Sequence, residues 1–464
     1  MRDTPEAGWM SLFFLNGGTG SEQIVVRESG VKKDGVIQTS GEFFADGSVL
    51  ELLRAQTEPE EVKLLHWHEK VLGMAAHVDH AGGKYAPPAI DPNLKKALRL
   101  PTRVAPPEST ANLFMAVHEL LARHLGQPDS CITALVCAVF ASWMSPALPM
   151  APIVWIFAPV GSPRNLVLQL LSLLCRRPLR IVGLRRGDIA RLPMRLQPTL
   201  LLDEPDLRPE MQMILQSSTH RGARIISSHG LLEFFGPKIV CSHELPRGTV
   251  LATEVLKATL IPIAGPLPPF DTKMQEDIAE KFQARFLGYF LRNASSAQST
   301  NLDASAFTLP TQDLARTLGA AVIGDSELQK RFLPLLAVQD EEIRADRARA
   351  GDAVVVEAAI SFVHQGTWTK VRTGSIAERV SAIYKGRGCD QCPSAESVGR
   401  ALKRVGIPSG RIGSAGNGIE LTVLTCELIH TLALSYGVRA MPGAVRSGCK
   451  YCHELGLTVA EPTT

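Results

Sequence analysis

Neither sign of charge dominates this sequence: 49 Lys and Arg stand against 46 Asp and Glu, a formal net charge of +3. The overall balance therefore points to no particular partner, and any basic surface has to come from local clustering. A secretory leader is also missing, since Met1-Arg2-Asp3-Thr4-Pro5-Glu6 is polar and acidic and the nine cysteines are scattered. A reducing cytoplasm is the expected setting. Charge is absent altogether between Cys131 and Pro163, a run long enough to span a bilayer. Pro146, Pro149 and Pro152 divide it into an apolar helix of about fourteen residues and a short strand, which suits a buried core helix better than a span. No membrane partner is expected. With 464 residues, 45% of them hydrophobic, there is material for real cores, and the length predicts roughly two to four domains.

What is present is a strand, a loop and a second strand in the register of a P-loop core. Ile153-Val154-Trp155-Ile156-Phe157 leads into Ala158-Pro159-Val160-Gly161-Ser162-Pro163-Arg164-Asn165 and an apolar helix through Leu174, and Thr199-Leu200-Leu201-Leu202-Asp203-Glu204 follows. A phosphate loop works because glycines turn successive backbone N–H groups onto phosphates, while a Lys reaches the outer phosphates and a hydroxyl reaches magnesium. In that register Ala158 stands at the first glycine, Pro163 at the last, Arg164 at the lysine and Asn165 at the hydroxyl. Pro163 removes a donor and fixes φ where glycine freedom is needed, and Arg164 keeps the charge with another shape and reach. The candidate nucleotide-binding residues are Gly161, Arg164, Asn165, Asp203 and Ser242. Asp203 would hold magnesium and Glu204 would polarise water, as the catalytic residue of an active enzyme. An ordinary strand-to-helix turn with Pro at the helix start is the competing reading of the loop alone.

Residues 1–90 are rich in glycine and short alternating runs, at residues 23–27, 41–44 and 48–53, and predict a small β-rich domain. His66 and His68 share one face of a strand there, with His77, His80 and Asp79 nearby, but no recognised ligand spacing results and surface histidines are expected. A proline-punctuated linker at 87–107 precedes a P-loop-like α/β core at 108–264, a parallel sheet flanked by helices. Between Arg176 and Arg195 seven arginines face one acid, Asp188. Arg176, Arg177, Arg180, Arg185, Arg186, Arg191 and Arg195 form either a phosphate-binding face for DNA or a solvated surface between core strands. Residues 271–352 predict a helical lid or spacer, with an amphipathic helix over 276–292 and a solvated charged helical face at 340–349.

Residues 353–464 read differently. Helices over 375–384 and 394–405, a glycine-rich reversal at 411–421 and a helix over 424–436 give a winged helix-turn-helix order. Twelve Lys and Arg stand against seven Asp and Glu from Gln365 onward. Arg400, Lys403, Arg404 and Arg411 crowd the second helix and the wing, where a recognition helix in the major groove needs positive charge; such modules also dock proteins. Cys389-x-x-Cys392 and Cys449-x-x-Cys452 flank the module. Each pair presents two thiolates to one tetrahedral ion, so the four are the candidate ligands of a structural zinc, with Cys426 and His453 in reserve. Free thiols and a redox pair are the other readings.

In this order the sequence resembles helicase-like P-loop proteins of the AAA+ type from phages and mobile elements, which carry a C-terminal winged helix. The resemblance is closest to bacterial members with a degenerate phosphate loop. It is carried by residues 153–165, 200–204 and 235–240, and by residues 397–411 with Leu402, Gly406 and Ile407. The family implies ATP and magnesium as cofactors, movement on DNA, and a homo-oligomer. It also implies a polar sensor, for which Ser242 and His243 are available, and a trans-acting arginine near residues 251–258, where only Lys257 offers a positive charge. An enzyme without its phosphate cradle and arginine finger loses orders of magnitude in rate. The expected function is therefore a DNA-associated, helicase-like pseudo-ATPase that acts as scaffold or regulator. The alternatives are a weakly active ATP-dependent translocase and a protein-interaction module without nucleotide or DNA.

Overall fold

The computed structural model describes residues 32–33, 35–56, 61–68, 71–204, 207–227, 230–246, 251–263, 265–438 and 449–454. The strand expected at 23–27 lies outside them.

Five parallel strands organise the molecule. They are the loop strand Ile153–Phe157, the outer strand Pro178–Val182, the acidic strand Thr199–Asp203, the bridging strand Lys238–Ser242 and the edge strand Val255–Thr259. Their order across the sheet is outer, acidic, bridging, loop, edge. Sequences such as Ile-Val-Trp-Ile-Phe and Thr-Leu-Leu-Leu-Asp read as unbroken apolar runs because a parallel sheet is buried on both faces. Alternate residues accordingly join two separate clusters. Val154, Ile156, Leu201, Ile239 and Leu256 pack with the larger one. Ile153, Trp155, Leu200, Leu202, Val240 and Val255 pack on the opposite face. This is an α/β core, a parallel sheet flanked by helices. All strands point the same way, so Phe157, Asp203 and Ser242 end at one edge of the sheet, the usual location of a ligand crevice.

The larger face is covered by helices Thr110–Leu125, Asp129–Met144 and Arg164–Leu174. The Asp129–Met144 helix is buried at every position from Cys131 to Met144. Its extension Asp129–Ala147 is, among the described residues, the one segment long and apolar enough to cross a membrane, and 89% of its apolar window is buried inside the fold.

The helix expected over 276–292 runs over Thr272–Ser299, because Asp271 accepts the Met274 N–H at 2.8 Å and caps it a turn earlier. Phe282, Phe286 and Phe290 of this helix belong to the same cluster as the sheet, so the expected lid or spacer contributes to the main core. The charged run is also not wholly solvated. It continues the helix Ser326–Arg349, and buried Asp340 accepts the Thr308 N–H at 3.1 Å at the start of the helix Leu309–Ala321.

The described residues between 35 and 86 form short strands. Gly41–Phe43, Val49–Arg54, Val62–His68 and Val71–Ala75 make an antiparallel sheet. Val36–Gln38, Val78–His80 and Gly83–Ala86 belong to a second sheet with Lys32–Lys33. Val49 and Leu53 face the main core, while Leu50 and Leu52 face the other way onto Leu98 and Leu100. Glu51, on the same side as Val49, is where the basic stretch is corrected. Arg176 and Arg177 are neither a DNA face nor a solvated surface, since both are buried and both hold Glu51. Arg176 Nε donates to Oε2 at 2.9 Å, and an Arg177 guanidinium nitrogen donates to Oε1. Arg177 also donates to the Leu196 carbonyl at 2.7 Å. Burial alone would raise the Glu51 pKa, but the two guanidiniums outweigh it and hold the carboxyl below its ordinary value.

The C-terminal elements run helix Gly351–Gln365, strand Lys370–Arg372, helix Thr373–Gly386, helix Ala395–Arg404, strand Gly410–Arg411, strand Asn417–Glu420 and helix Val423–Ser435. Asn417–Glu420 lies between the other two strands. Ser394 caps the Ala395–Arg404 helix by accepting the Ser397 N–H at 3.2 Å. Val398, Ala401, Leu402 and Ile407 share one core with Val354, Ile376, Ile419 and Ile429.

Candidate functional site

Two donors of the loop after the loop strand are turned onto the loop itself. The Ser162 N–H bonds the Pro159 carbonyl at 3.1 Å and the Arg164 N–H bonds the Ser162 carbonyl at 2.8 Å. Pro163, the residue before the helix, has no N–H to give. Gly161 takes φ +88° and is the one loop residue in the left-handed region. Two of the amides that a phosphate cradle would use are thus spent within the turn.

Arg164 occupies the crevice instead. Its Nε donates to Asp203 Oδ1 at 2.7 Å, its Nη2 donates to the Cys241 carbonyl at 3.1 Å, and its Nη1 meets His243 Nε2 at 3.1 Å. His243 Nδ1 sits 2.7 Å from the Ala158 carbonyl. It therefore carries the proton there, which leaves Nε2 to accept from Arg164. Arg180 closes the other side of the carboxylate, donating to Asp203 Oδ2 and, at 3.0 Å, to Asn165 Oδ1. Asp203, which burial would push up, is held below its ordinary value by its bonds from Arg180 and Arg164. Both of its oxygens are spent on cations, and the Asn165 oxygen meant for a metal is spent on Arg180.

Glu204 is turned away from the loop. It is buried, and its Oε1 accepts the Leu184 N–H at 2.6 Å. Leu184 follows the outer strand, which flanks the acidic strand on the side opposite the loop. Ser242 is buried at the end of the bridging strand, where its Oγ accepts the Glu244 N–H at 3.2 Å. Burial pushes the neighbouring Cys241 thiol up to about 12, which makes it inert. Thus Arg164, Asn165 and Asp203 converge on one another together with Arg180, expected on a DNA face, and His243. Glu204 does not join them. Arg185 and Arg186 are exposed beyond the outer strand.

On the C-terminal module Arg400, Lys403 and Arg411 are exposed. Arg404, expected beside them, is engaged by Asp352, with Nε 2.9 Å from Oδ2.

The cysteine expectation is corrected in part. Cys389 and Cys392 are exposed in the turn between two helices and do not approach Cys449 and Cys452. The second pair lies instead with His364 and His430. Sequence reading missed both histidines, although each directly follows two apolar residues of its helix. It also missed Lys238, buried among the carbonyls of Phe234 and Gly236 at 2.8 Å each. In the N-terminal part, His66 and His68 stack at 5.9 Å. His80, not His77, joins them, and Asp46 approaches His80 at 3.0 Å.

No family model matches this chain, and no curated protein matches it. Among its distant likenesses to solved structures are the following three. The apo C-terminal region of NrS-1 is 11% identical with a TM-score of 0.35, over 80% of this chain and 97% of that one. A full-length MCM homolog from Methanopyrus kandleri is 12% identical with a TM-score of 0.35, over 63% and 77%. SCCmec type IV Cch, described as an active helicase, is 11% identical with a TM-score of 0.38, over 84% and 80%. The reading of the core rests on its own strand order and residues.

Proposed function

We propose that this protein is a DNA-associated, helicase-like pseudo-ATPase that acts as a scaffold or regulator. The observation that carries the first half is Asp203, whose two oxygens are taken by Arg164 and Arg180. Magnesium and a nucleotide phosphate would have to displace two charge-assisted contacts, worth about 1.5–3 kcal/mol for the shielded Arg164 arm and less than about 1 kcal/mol for the more exposed Arg180 arm, with two of the loop amides already spent within the turn. The second half is supported by the winged-helix order of the C-terminal elements, with Arg400 and Lys403 exposed on the recognition-helix position and Arg411 on the hairpin. A helix of this kind enters the major groove, and its basic residues grip flanking phosphates.

Fluorescence anisotropy with duplex DNA, together with calorimetry with magnesium-ATP, tests both halves. Wild type should bind duplex, and Arg400→Glu/Lys403→Glu should weaken it at least tenfold. The salt slope should fall by about one unit per lost phosphate contact. Equal binding by the variant, or none by wild type, would turn the module into a protein-docking surface. Magnesium-dependent ATP hydrolysis that Glu204→Gln abolishes would establish the weakly active ATPase and end the scaffold reading.

A further inference from the structure

We propose that His364, His430, Cys449 and Cys452 bind one zinc ion that fastens the segment after residue 438 to the C-terminal module. His364 lies in the last turn of the helix Gly351–Gln365, His430 lies within Val423–Ser435, and the two cysteines bracket the start of Lys450–Glu454. The two long helices are brought together by the apolar packing of Ile360, Ile429 and Ala433, and the third element meets them through Tyr451, whose ring lies 5.2 Å from that of His430. Their four donor atoms all lie within 4.8 Å of one another.

The spacing is that of a coordination shell. Bonds of about 2.05 Å to nitrogen and 2.3 Å to sulfur, at tetrahedral angles, put two nitrogens about 3.3 Å apart and a nitrogen and a sulfur about 3.6 Å apart. The two Nε2 atoms are 3.2 Å apart, Cys449 Sγ is 3.5 Å from His430 Nε2, and Cys452 Sγ is 3.3 Å from His364 Nε2. The backbone sets one of the tautomers. His430 Nδ1 donates to the Cys426 carbonyl at 2.7 Å, so its Nε2 lone pair faces the cluster. His364, His430 and Cys452 are buried. A site there must be neutral overall, and two thiolates with two neutral imidazoles balance a divalent ion. Four protein donors with nitrogen and sulfur in equal number select zinc and leave no open position for catalysis, so the site is structural.

The full-length protein, purified under reducing conditions, should contain about one zinc per chain by elemental analysis. Cys389→Ser/Cys392→Ser should retain it, whereas Cys449→Ser/Cys452→Ser should lose it. Because the second variant could fail to fold, wild type is also titrated with cobalt after chelation. The d–d bands and thiolate charge transfer of a tetrahedral two-sulfur, two-nitrogen site are expected, and chelation should lower the melting temperature, with recovery on adding zinc. Three results would each overturn the proposal. One is wild type that takes up neither metal, another is a Cys449–Cys452 disulfide in the reduced preparation, and the third is zinc that leaves with Cys389 and Cys392.

Discussion

Replacing Asp203 by Ala separates a carboxylate that serves nucleotide from one that serves the fold. At a magnesium site awaiting its ion, removing an acid relieves repulsion and tends to stabilise the protein. Here the acid stands between two cations, so its removal leaves the Arg164 and Arg180 guanidiniums facing each other without a counter-charge. Arg164 and Asp203 are 17% and 12% exposed, so their contact is partly screened, and Arg180 at 33% is screened further. Hydrogen bonds to charged groups contribute about 1.5–3 kcal/mol each when well shielded, and the more exposed arm contributes less than about 1. Asp203→Ala should therefore cost about 2–3 kcal/mol, which at about 2–4 °C per kcal/mol lowers the melting temperature by about 4–12 °C. The pH dependence has a definite sign. A carboxyl with a lowered folded pKa gives its full stabilisation above the unfolded value and loses it as pH falls through the folded one. The gap between wild type and variant should hold from neutral pH down to about 5 and close below 3.8, the ordinary aspartate value. Differential scanning calorimetry across that range, with and without magnesium-ATP, reads both effects. An unchanged or raised melting temperature in the variant would refute the reasoning, and so would wild type stabilised by magnesium-ATP where the variant is not.

Two further outcomes follow from the buried charges. Glu51→Gln leaves Arg176 and Arg177 buried without a full counter-charge and should cost about 3–5 kcal/mol; a denaturation midpoint within error of wild type would show that the pairing adds nothing. Burial lowers the Lys238 amine to about 7 from 10.5, so the unfolded chain holds more protons between those values and stability rises with pH across that window. Lys238→Met removes that rise, and parallel pH slopes for variant and wild type would contradict it.

Strand and loop positions were legible because parallel strands need unbroken apolar runs, and Ile153–Phe157 and Thr199–Asp203 show them without interruption. The helix Ala395–Arg404 was legible from Ser394 at its cap and Gly406 beyond its end. Partner choice was not. Arg176 and Arg177 look like surface charge until Glu51, 125 positions earlier than Arg176, arrives beside them. Cys449 and Cys452 invited pairing with the nearest similar motif, because local spacing is all that a sequence displays. Their actual neighbours come from separate helices, 88 positions away for Cys452 and His364. Asp340 shows the same limit: a charged run reads as solvated until one member turns inward to hold Thr308.

On the proposed reading, the four departures from a phosphate loop belong to one arrangement. The bridging strand stands between the loop strand and the acidic strand, so their ends are separated by two strand spacings, about 9–10 Å. In a nucleotide-binding core a phosphate and its metal span that gap. Here a single side chain spans it: Arg164 leaves the loop, touches the Cys241 carbonyl on the bridging strand and ends on Asp203. A guanidinium on Asp203 competes with any metal ion for that carboxylate, and in the proposed pseudo-ATPase Pro163 removes a donor that would not be needed. Asn165 and Arg180 satisfy each other, and Glu204 accepts the Leu184 amide. On that reading a lysine placed at 164 would not by itself create a phosphate site. The lysine would lack the fork that grips Asp203, and the turn around Pro163 would still hold two of its amides.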